Sequence, residues 1–285
     1  MNKNLMQCFN KFLLLTGFIL LSACGGGGGG GVGGGGGGGM PTPTLPASAV
    51  TIDTTNADSI AALALGFTDT FFMLAGLKTE APPSIPNVIK IIIDEVIKRE
   101  RVSPSVAIGV TEDIPGLCLS GTATATFTET GNDTSGTESG TVSFSSCEFP
   151  GGVLLNGSVN YNADWNATFN YDISLGGTLT FDIGTDAITI VMSLSETGND
   201  DTGAFSATIS YSVSGAPDGD FLVTTPEAWV GNIIDGVDSG VLMIQGANDT
   251  WLRITVSSPN VGTIELDNGD GTDTFIEIFN SPINL

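Results

Sequence analysis

From Ser103 onward the rhythm of the side chains changes from helical to alternating, with Thr, Ser, Val, Ile and aromatic residues between Gly- and Asn/Asp-rich turns. Alternation sends successive side chains to opposite faces, so one apolar parity has to be laid against something dry. Leu119, Ala123, Ala125 and Phe127 alternate with Ser120, Thr122, Thr124 and Thr126, and Val142 and Phe144 alternate with Thr141, Ser143 and Ser145. Val153, Leu155, Val159, Tyr161, Ala163, Trp165, Ala167, Phe169 and Tyr171 hold one parity, which predicts one very long strand or two joined by a phase-preserving turn. Further strands are expected around 175–183, 187–195, 204–213, 220–225, 240–245, 251–257, 262–267 and 273–279, for about ten or eleven in all. Short connections such as 197–203 favour antiparallel pairing, because parallel strands need crossovers of roughly a dozen residues or more. The expected fold is therefore mainly β, an antiparallel meander forming a curved sheet, a sandwich or a partly open barrel.

An N-terminal pair of α-helices is expected to pack on it. Asn56 suits the N-cap of a helix over about 57–75, with Asp58 in the first turn and Gly76 just past the end. Ile60, Leu63, Phe67, Phe71 and Leu74 would form its apolar stripe. After Pro82, Pro83 and Pro86, a second helix over about 88–101 would carry Ile89, Ile92, Ile93, Val96 and Ile97 on one side, with Asp94–Lys98 and Glu95–Arg99 pairs on the other.

The chain contains no His. That removes imidazole metal sites, Ser-His and Cys-His dyads, and the usual general base near neutral pH. A net charge of -23 argues against nucleic acid as a partner, because phosphates call for a basic surface. No catalytic residues emerge from the pattern, and the expectation is a protein that is not an enzyme.

Lys3 and Lys11 flank and precede an apolar stretch, Phe12 to Leu21, too short to span ~30 Å of hydrocarbon. It reads as the core of a signal peptide. The segment closes with Leu21-Ser22-Ala23-Cys24, which resembles the lipobox of bacterial lipoproteins. That resemblance implies cleavage before Cys24, a diacylglyceryl thioether on its sulfur and N-acylation. Gly25 at the next position implies sorting to the outer membrane. Acyl chains such as palmitate, two or three together, would make attachment to the lipid bilayer effectively permanent. Loss of Lys3 and Lys11 would leave 31 acids against 6 bases.

Residues 25–39 are glycine throughout except for Val32, a composition with little to bury and much backbone entropy to lose. As a coil they would span about 22 Å. The implied organisation is a signal peptide over 1–23, an acylated Cys and Gly/Pro-rich tether over 24–49, a helical pair over 50–102, and an antiparallel β domain over 103–285, the last two packed as one unit.

With Cys8 removed and Cys24 acylated, Cys118 and Cys147 remain as the thiol pair of an exported protein and are expected to form a disulfide. Placed opposite each other in a hairpin, they put the turn at Asn132-Asp133, Val142 opposite Ala123, Phe144 opposite Gly121, and both cysteines on the Ser/Thr side.

Asp267, Asp270 and Asp273, in the run Asp267-Asn268-Gly269-Asp270-Gly271-Thr272-Asp273, are the candidate ligands for a weakly bound Ca2+; no other cofactor is expected. An EF-hand register fails, because position 1 would fall on Leu266, and a hairpin turn between 263–266 and 274–278 accounts for the same residues. Beyond Pro104 there are 24 acids and one base, Arg253, which suits a solvated acidic surface. Trp165, Trp229 and Trp251 are a conceivable sugar platform, although Trp165 shares the core parity.

The lipobox, the low-complexity tether, Ile52 to Ala57 entering a helix, the paired-Cys hairpin, 155–159 and the final Gly-Asp-Gly turn together resemble uncharacterised Gram-negative lipoproteins. The resemblance implies a cell-envelope, lipid-anchored binding or structural module of unknown ligand. The alternative is a carrier of lipid or another hydrophobic ligand in a cavity between curved sheet and helices.

Overall fold

Alternation of this length produces strands that must share a dry face, and the computed structural model places all of them in one sheet. It describes residues 40–72, 110–113, 118–132, 135–149, 152–183, 186–199, 201–232, 235–258, 261–272 and 274–282, within the unit Gly39–Leu285. Cys24, the glycine tether and the helix expected at 88–101 lie outside the described residues.

The elements are α1 (Ala57–Phe72), β1 (Val110–Asp113), β2 (Thr122–Asn132), β3 (Ser135–Phe149), β4 (Val153–Trp165), β5 (Asn170–Ile183), β6 (Asp186–Asn199), β7 (Ala204–Ser214), β8 (Phe221–Asn232), β9 (Gly236–Gln245), β10 (Trp251–Ser258), β11 (Val261–Asp267) and β12 (Ile276–Pro282). The twelve strands run antiparallel in chain order, and the sheet is not closed. The nineteen-residue parity resolves into β4 and β5. Asn166 to Phe169 form the turn between them, which preserves phase, so Val159 and Tyr161 share the buried face with Leu175, Leu179 and Phe181.

Among the described residues there is one helix where a pair was expected; of its expected stripe Ile60 is buried and Leu63 packs against the core, while the side chains of Phe67 and Phe71, and Leu74, lie outside those described. Ala57, Ile60, Ala61 and Ala64 are buried, and Leu63 is half-buried. The seam is built on alanines because helix and sheet approach closely: the Tyr211 hydroxyl donates to the Ala64 carbonyl at 2.7 Å. The Asn56 carbonyl accepts the Ile60 N–H, as at an N-cap, but its side chain turns backward and accepts the Asp53 N–H.

Ahead of the helix, residues 46–53 form a strap across one end of the sheet. Ala49 bridges Asp220, the Ala247 N–H donates to Val50 O at 2.7 Å, and the Ile52 N–H donates to Thr250 Oγ1 at 2.9 Å. The buried Asp220 carboxylate accepts from the Ser48 hydroxyl and from the Gly215 N–H. The strap thereby joins the β7–β8 and β9–β10 turns. This is the strap end; the turns β2–β3, β4–β5, β6–β7 and β8–β9 lie at the far end.

The cysteines form the expected disulfide, with Cα atoms 5.1 Å apart, but the register around them differs. Phe144 pairs with Ala123 and Val142 with Ala125, two residues from the expected match. Ser145 and Ser146 form a bulge opposite Asn156, with Ser146 at φ 48° and its N–H satisfied by Asn156 Oδ1 at 2.8 Å. A bulge inserts residues into one strand and reverses the parity beyond it. Cys147 therefore points into the core, fully buried, rather than to the Ser/Thr side. Bulges likewise hide β8 and β9 from the alternation: pairing slips around Pro226 and Val230, and Trp229 is fully buried among these irregular turns of phase.

Candidate functional site

The far end of the core face carries polar groups that alternation alone would fill with apolar ones. A single row crosses the sheet through Glu129, Glu138, Ala163, Ile173, Glu196 and Ala207. Glu138 and Glu196 are both buried, at 5% and 6% exposure, and each has a tyrosine for a partner. The Tyr161 hydroxyl donates to Glu138, and the Tyr171 hydroxyl donates to Glu196 Oε1 at 2.7 Å.

Both pairs are built in the same way. Tyr161 lies opposite Gly140 and Tyr171 opposite Gly198, and a Cβ at either glycine would collide with the ring. The missing side chain lets each ring lie flat across the neighbouring strand, so that its hydroxyl reaches the glutamate two residues before the glycine. Glu138-Ser139-Gly140 and Glu196-Thr197-Gly198 are the two instances.

Burial pushes the Glu138 carboxyl above the usual glutamate range; the Tyr161 hydroxyl opposes that rise, and the charge of Glu129 directly across β2–β3 adds to it. Such a group can hold a proton that an exposed glutamate would release. Glycoside hydrolysis needs a second carboxyl within about 5–10 Å. The backbone of Glu196 stands three strands from that of Glu138, about 14 Å along a sheet, with Ala163 and Ile173 between them.

No family model, curated protein or solved structure matches this chain.

In the acidic turn that offered the candidate calcium ligands, Asp267 and Asp270 are engaged by the turn's own N–H and hydroxyl groups. Asp267 is buried and accepts the Gly269 N–H at 3.0 Å, while Asp270 accepts the Thr272 N–H at 2.9 Å and the Thr272 hydroxyl. The Thr272 hydroxyl, then its N–H, hold the exposed Asp270 carboxyl below its ordinary range. Asp273 lies outside the described residues, and among those described no group of three metal-ligating side chains converges. The residues form the β11–β12 hairpin turn, with Leu266 opposite Ile276.

Arg253, the only Lys or Arg among the described residues, is committed to Glu265, its cross-strand partner, at 2.7 Å, and stacks 4.1 Å from the Phe275 ring. The three tryptophans do not share a platform: Trp229 is fully buried, while Trp165 and Trp251 are half-buried in different parts of the sheet.

Sequence reading passed over Glu138 and Glu196 because they were two among 24 acids. One signal was present: Glu129-Thr130-Gly131-Asn132-Asp133 recurs as Glu196-Thr197-Gly198-Asn199-Asp200. The repeat marks the two hairpins that bring acids onto the buried face.

Proposed function

We propose that the chain is an exported lipoprotein of the cell envelope, held at the outer membrane by acyl chains on Cys24, with a β body that serves as a binding or structural module rather than as an enzyme. The Cys118–Cys147 disulfide carries this reading. Disulfides of this kind persist in oxidising compartments, and export through a signal peptide ending at Leu21-Ser22-Ala23-Cys24 would deliver the chain to one. The lipid bilayer is then a partner through Cys24, and an acidic body with Arg253 already paired gives nucleic acid no foothold.

The sheet is inferred to curl around α1 as a half-open barrel. Twelve strands side by side would measure roughly 55 Å, whereas a 16-residue helix is about 24 Å long and 10 Å wide. Yet buried side chains run from Ala123 on β2 to Leu266 on β11 in one cluster with Ile60 and Ala64. The second helix read from the sequence at 88–101 is proposed to supply the remaining cover. Trp229, Tyr211, Phe149, Phe181 and Phe221 are fully buried on the core side, which favours a filled interior over the cavity that a carrier of hydrophobic ligands would need.

Intact-mass analysis of protein taken from its own membranes tests the reading. A chain beginning at Cys24 with added acyl mass is expected, together with partitioning into detergent. An unmodified N-terminus, or full release from membranes by salt alone, would falsify it. Lipid co-purifying at one molecule per chain would turn the reading toward a carrier.

A further inference from the structure

Two hairpins of this chain are built on one sequence. Glu129-Thr130-Gly131-Asn132-Asp133, then Thr141, Ser143 and Ser145, recur without a gap on β6 and β7 as Glu196-Thr197-Gly198-Asn199-Asp200, then Thr208, Ser210 and Ser212. At the place of Glu138 the second hairpin carries Phe205, which is buried. An apolar ring suits that position, so folding does not call for a carboxyl there. The carboxyl is also costly where it stands. Glu138 is 5% exposed and lies directly opposite Glu129 on the core face, and like charges in directly opposed positions repel. Asp164 and Asp172 are opposed in the same way across β4 and β5, but both are exposed on the outer face, where water and salt screen them.

No cation relieves the pair. The ionisable groups that face Glu138 are Glu129 from β2 and Tyr161 from β4, followed farther along the row by Glu196 with Tyr171, and Arg253 on β10 is bound to Glu265. Burial first, against the Tyr161 hydroxyl, and then the Glu129 charge keep a proton on Glu138 above the pH at which an exposed glutamate loses it. The two sides of this carboxyl are unequally held. On β2 and β3 the Thr130 and Thr137 hydroxyls bond at 2.7 Å, which keeps those strands together as one unit. β4 and β5 are the braced side: Asn166 Oδ1 accepts the Thr168 N–H at 3.0 Å, and Asn199 Nδ2 donates to Thr168 O at 3.0 Å and to Asn170 Oδ1 at 2.7 Å, which holds even Phe169 at φ 63°. Between the two sides run the last pairs of the β3–β4 ladder, Glu138–Ala163, Thr137–Asp164 and Gly136–Trp165, with the Trp165 ring against Gly136 in the space a Cβ would fill. Pairs at the end of a ladder open at lower cost than those in its middle.

We propose that this end of the sheet is a pH-operated latch: with a proton on Glu138 the β2–β3 hairpin lies closed on β4, and loss of that proton to water swings the far end of the hairpin away from β4, uncovering Trp165 and Tyr161. A carboxylate left on the core side lacks the solvation its charge needs, and it regains water only by moving out with its strand. Glu129 leaves with it, so the repulsion between them is then spread through solvent. The inference does not depend on acylation of Cys24.

The test labels the full chain with 5-fluorotryptophan, which gives fluorine NMR signals for Trp165, Trp229 and Trp251, assigned through Trp165→Phe and Trp251→Phe. Between about pH 4 and about pH 8, a range that starts at the ordinary carboxylate value, the Trp165 resonance is expected to move while those of Trp229 and Trp251 stay in place. Over the same range the amides of residues 136–139 should exchange faster than the intrinsic effect of pH accounts for. In Glu138→Gln the Trp165 resonance should keep its low-pH position throughout. Glu129→Gln should move the midpoint down by up to about one pH unit, because it removes the like charge and leaves the titrating group. An unmoving Trp165 in the parent, movement of all three resonances together, a Glu138→Gln variant that titrates as the parent does, or a midpoint indifferent to Glu129→Gln would each overturn the proposal. Should Glu138→Gln fail to fold, the parent titration and the Glu129→Gln midpoint decide the matter between them.

Discussion

The two ends of the sheet solve the same problem, closing a stack of hairpins, with opposite materials. At the strap end, backbone groups of Ala49, Val50 and Ile52 bond to the β7–β8 and β9–β10 turns, and the Cys118–Cys147 disulfide ties β3 to the segment before β2. At the far end, no strap among the described residues crosses the turns. Side-chain amides of Asn199 and Asn232 link neighbouring turns instead, Asn166 braces its own turn, and the row behind them contains buried glutamates. The strap end spends its polar groups on stability, whereas the far end keeps arrangements that cost stability: a left-handed Phe169, opposed aspartates, and a carboxyl held in a buried site. Strain and unfavourable charge gather where a fold has something other than its own folding to serve.

The sharpest break in this contrast would come from the strap end. Replacing both Cys118 and Cys147 by Ala should lower the unfolding free energy by about 3 kcal/mol, read from denaturant unfolding without reductant, because the loop closed spans 29 residues. A change near zero would mean that the strap alone holds that end. Thr250→Val comes next. Thr250 Oγ1 accepts from the Ile52 N–H and donates to Ala247 O at 2.7 Å, in a fully buried position, so the substitution should cost about 2 kcal/mol and loosen hydrogen exchange at Ile52.

At the far end the signs should reverse. Phe169→Gly should raise the unfolding free energy by up to about 1 kcal/mol, less than the full left-handed penalty because glycine also gains entropy in the unfolded chain. The smallest effect, and the most specific, belongs to Glu138→Gln. The Glu138 carboxyl is raised in the fold, so its favourable contribution is present below its unfolded value near 4.5 and is lost as pH climbs through the higher folded value. Glutamine can still accept the Tyr161 hydroxyl but cannot ionise. The variant should match the parent at pH 4 and melt higher at pH 7. Equal melting temperatures at both pH values would show that the buried carboxyl imposes no penalty.

How far this architecture was legible depended on whether phase ran unbroken. Within each strand from β4 to β7 the alternation is unbroken, and these strands fall close to where the pattern put them. The parity fails where bulges reset it. Two residues at Ser145 and Ser146 were enough to move Cys147 to the opposite face, and nothing local in Ser-Ser distinguishes a bulge from a strand. β8 continues through Pro226 because the ladder slips there, which leaves the proline without a bond to supply. β1, only four residues long, gave no periodic signal to read. On α1 the eye follows Ile60 and Leu63, and the alanines beside them went unread, although close packing against Tyr211 selects Ala. The Glu138 and Glu196 pairs were invisible for another reason: they depend on a tyrosine meeting a glycine across strands, and that coincidence exists only once register is known.

The order of the strands has a consequence for how the chain assembles. Every strand from β1 to β12 lies beside its sequence neighbours, so each hairpin can add to the last as soon as it exists. Residues 46–53 are the exception: made before all of the strands, they find their partners only in turns near 220 and 247–250. The leading segment must wait, its donors and acceptors held by water, until nearly nine-tenths of the polypeptide has emerged, and only then is the growing ribbon locked from the front.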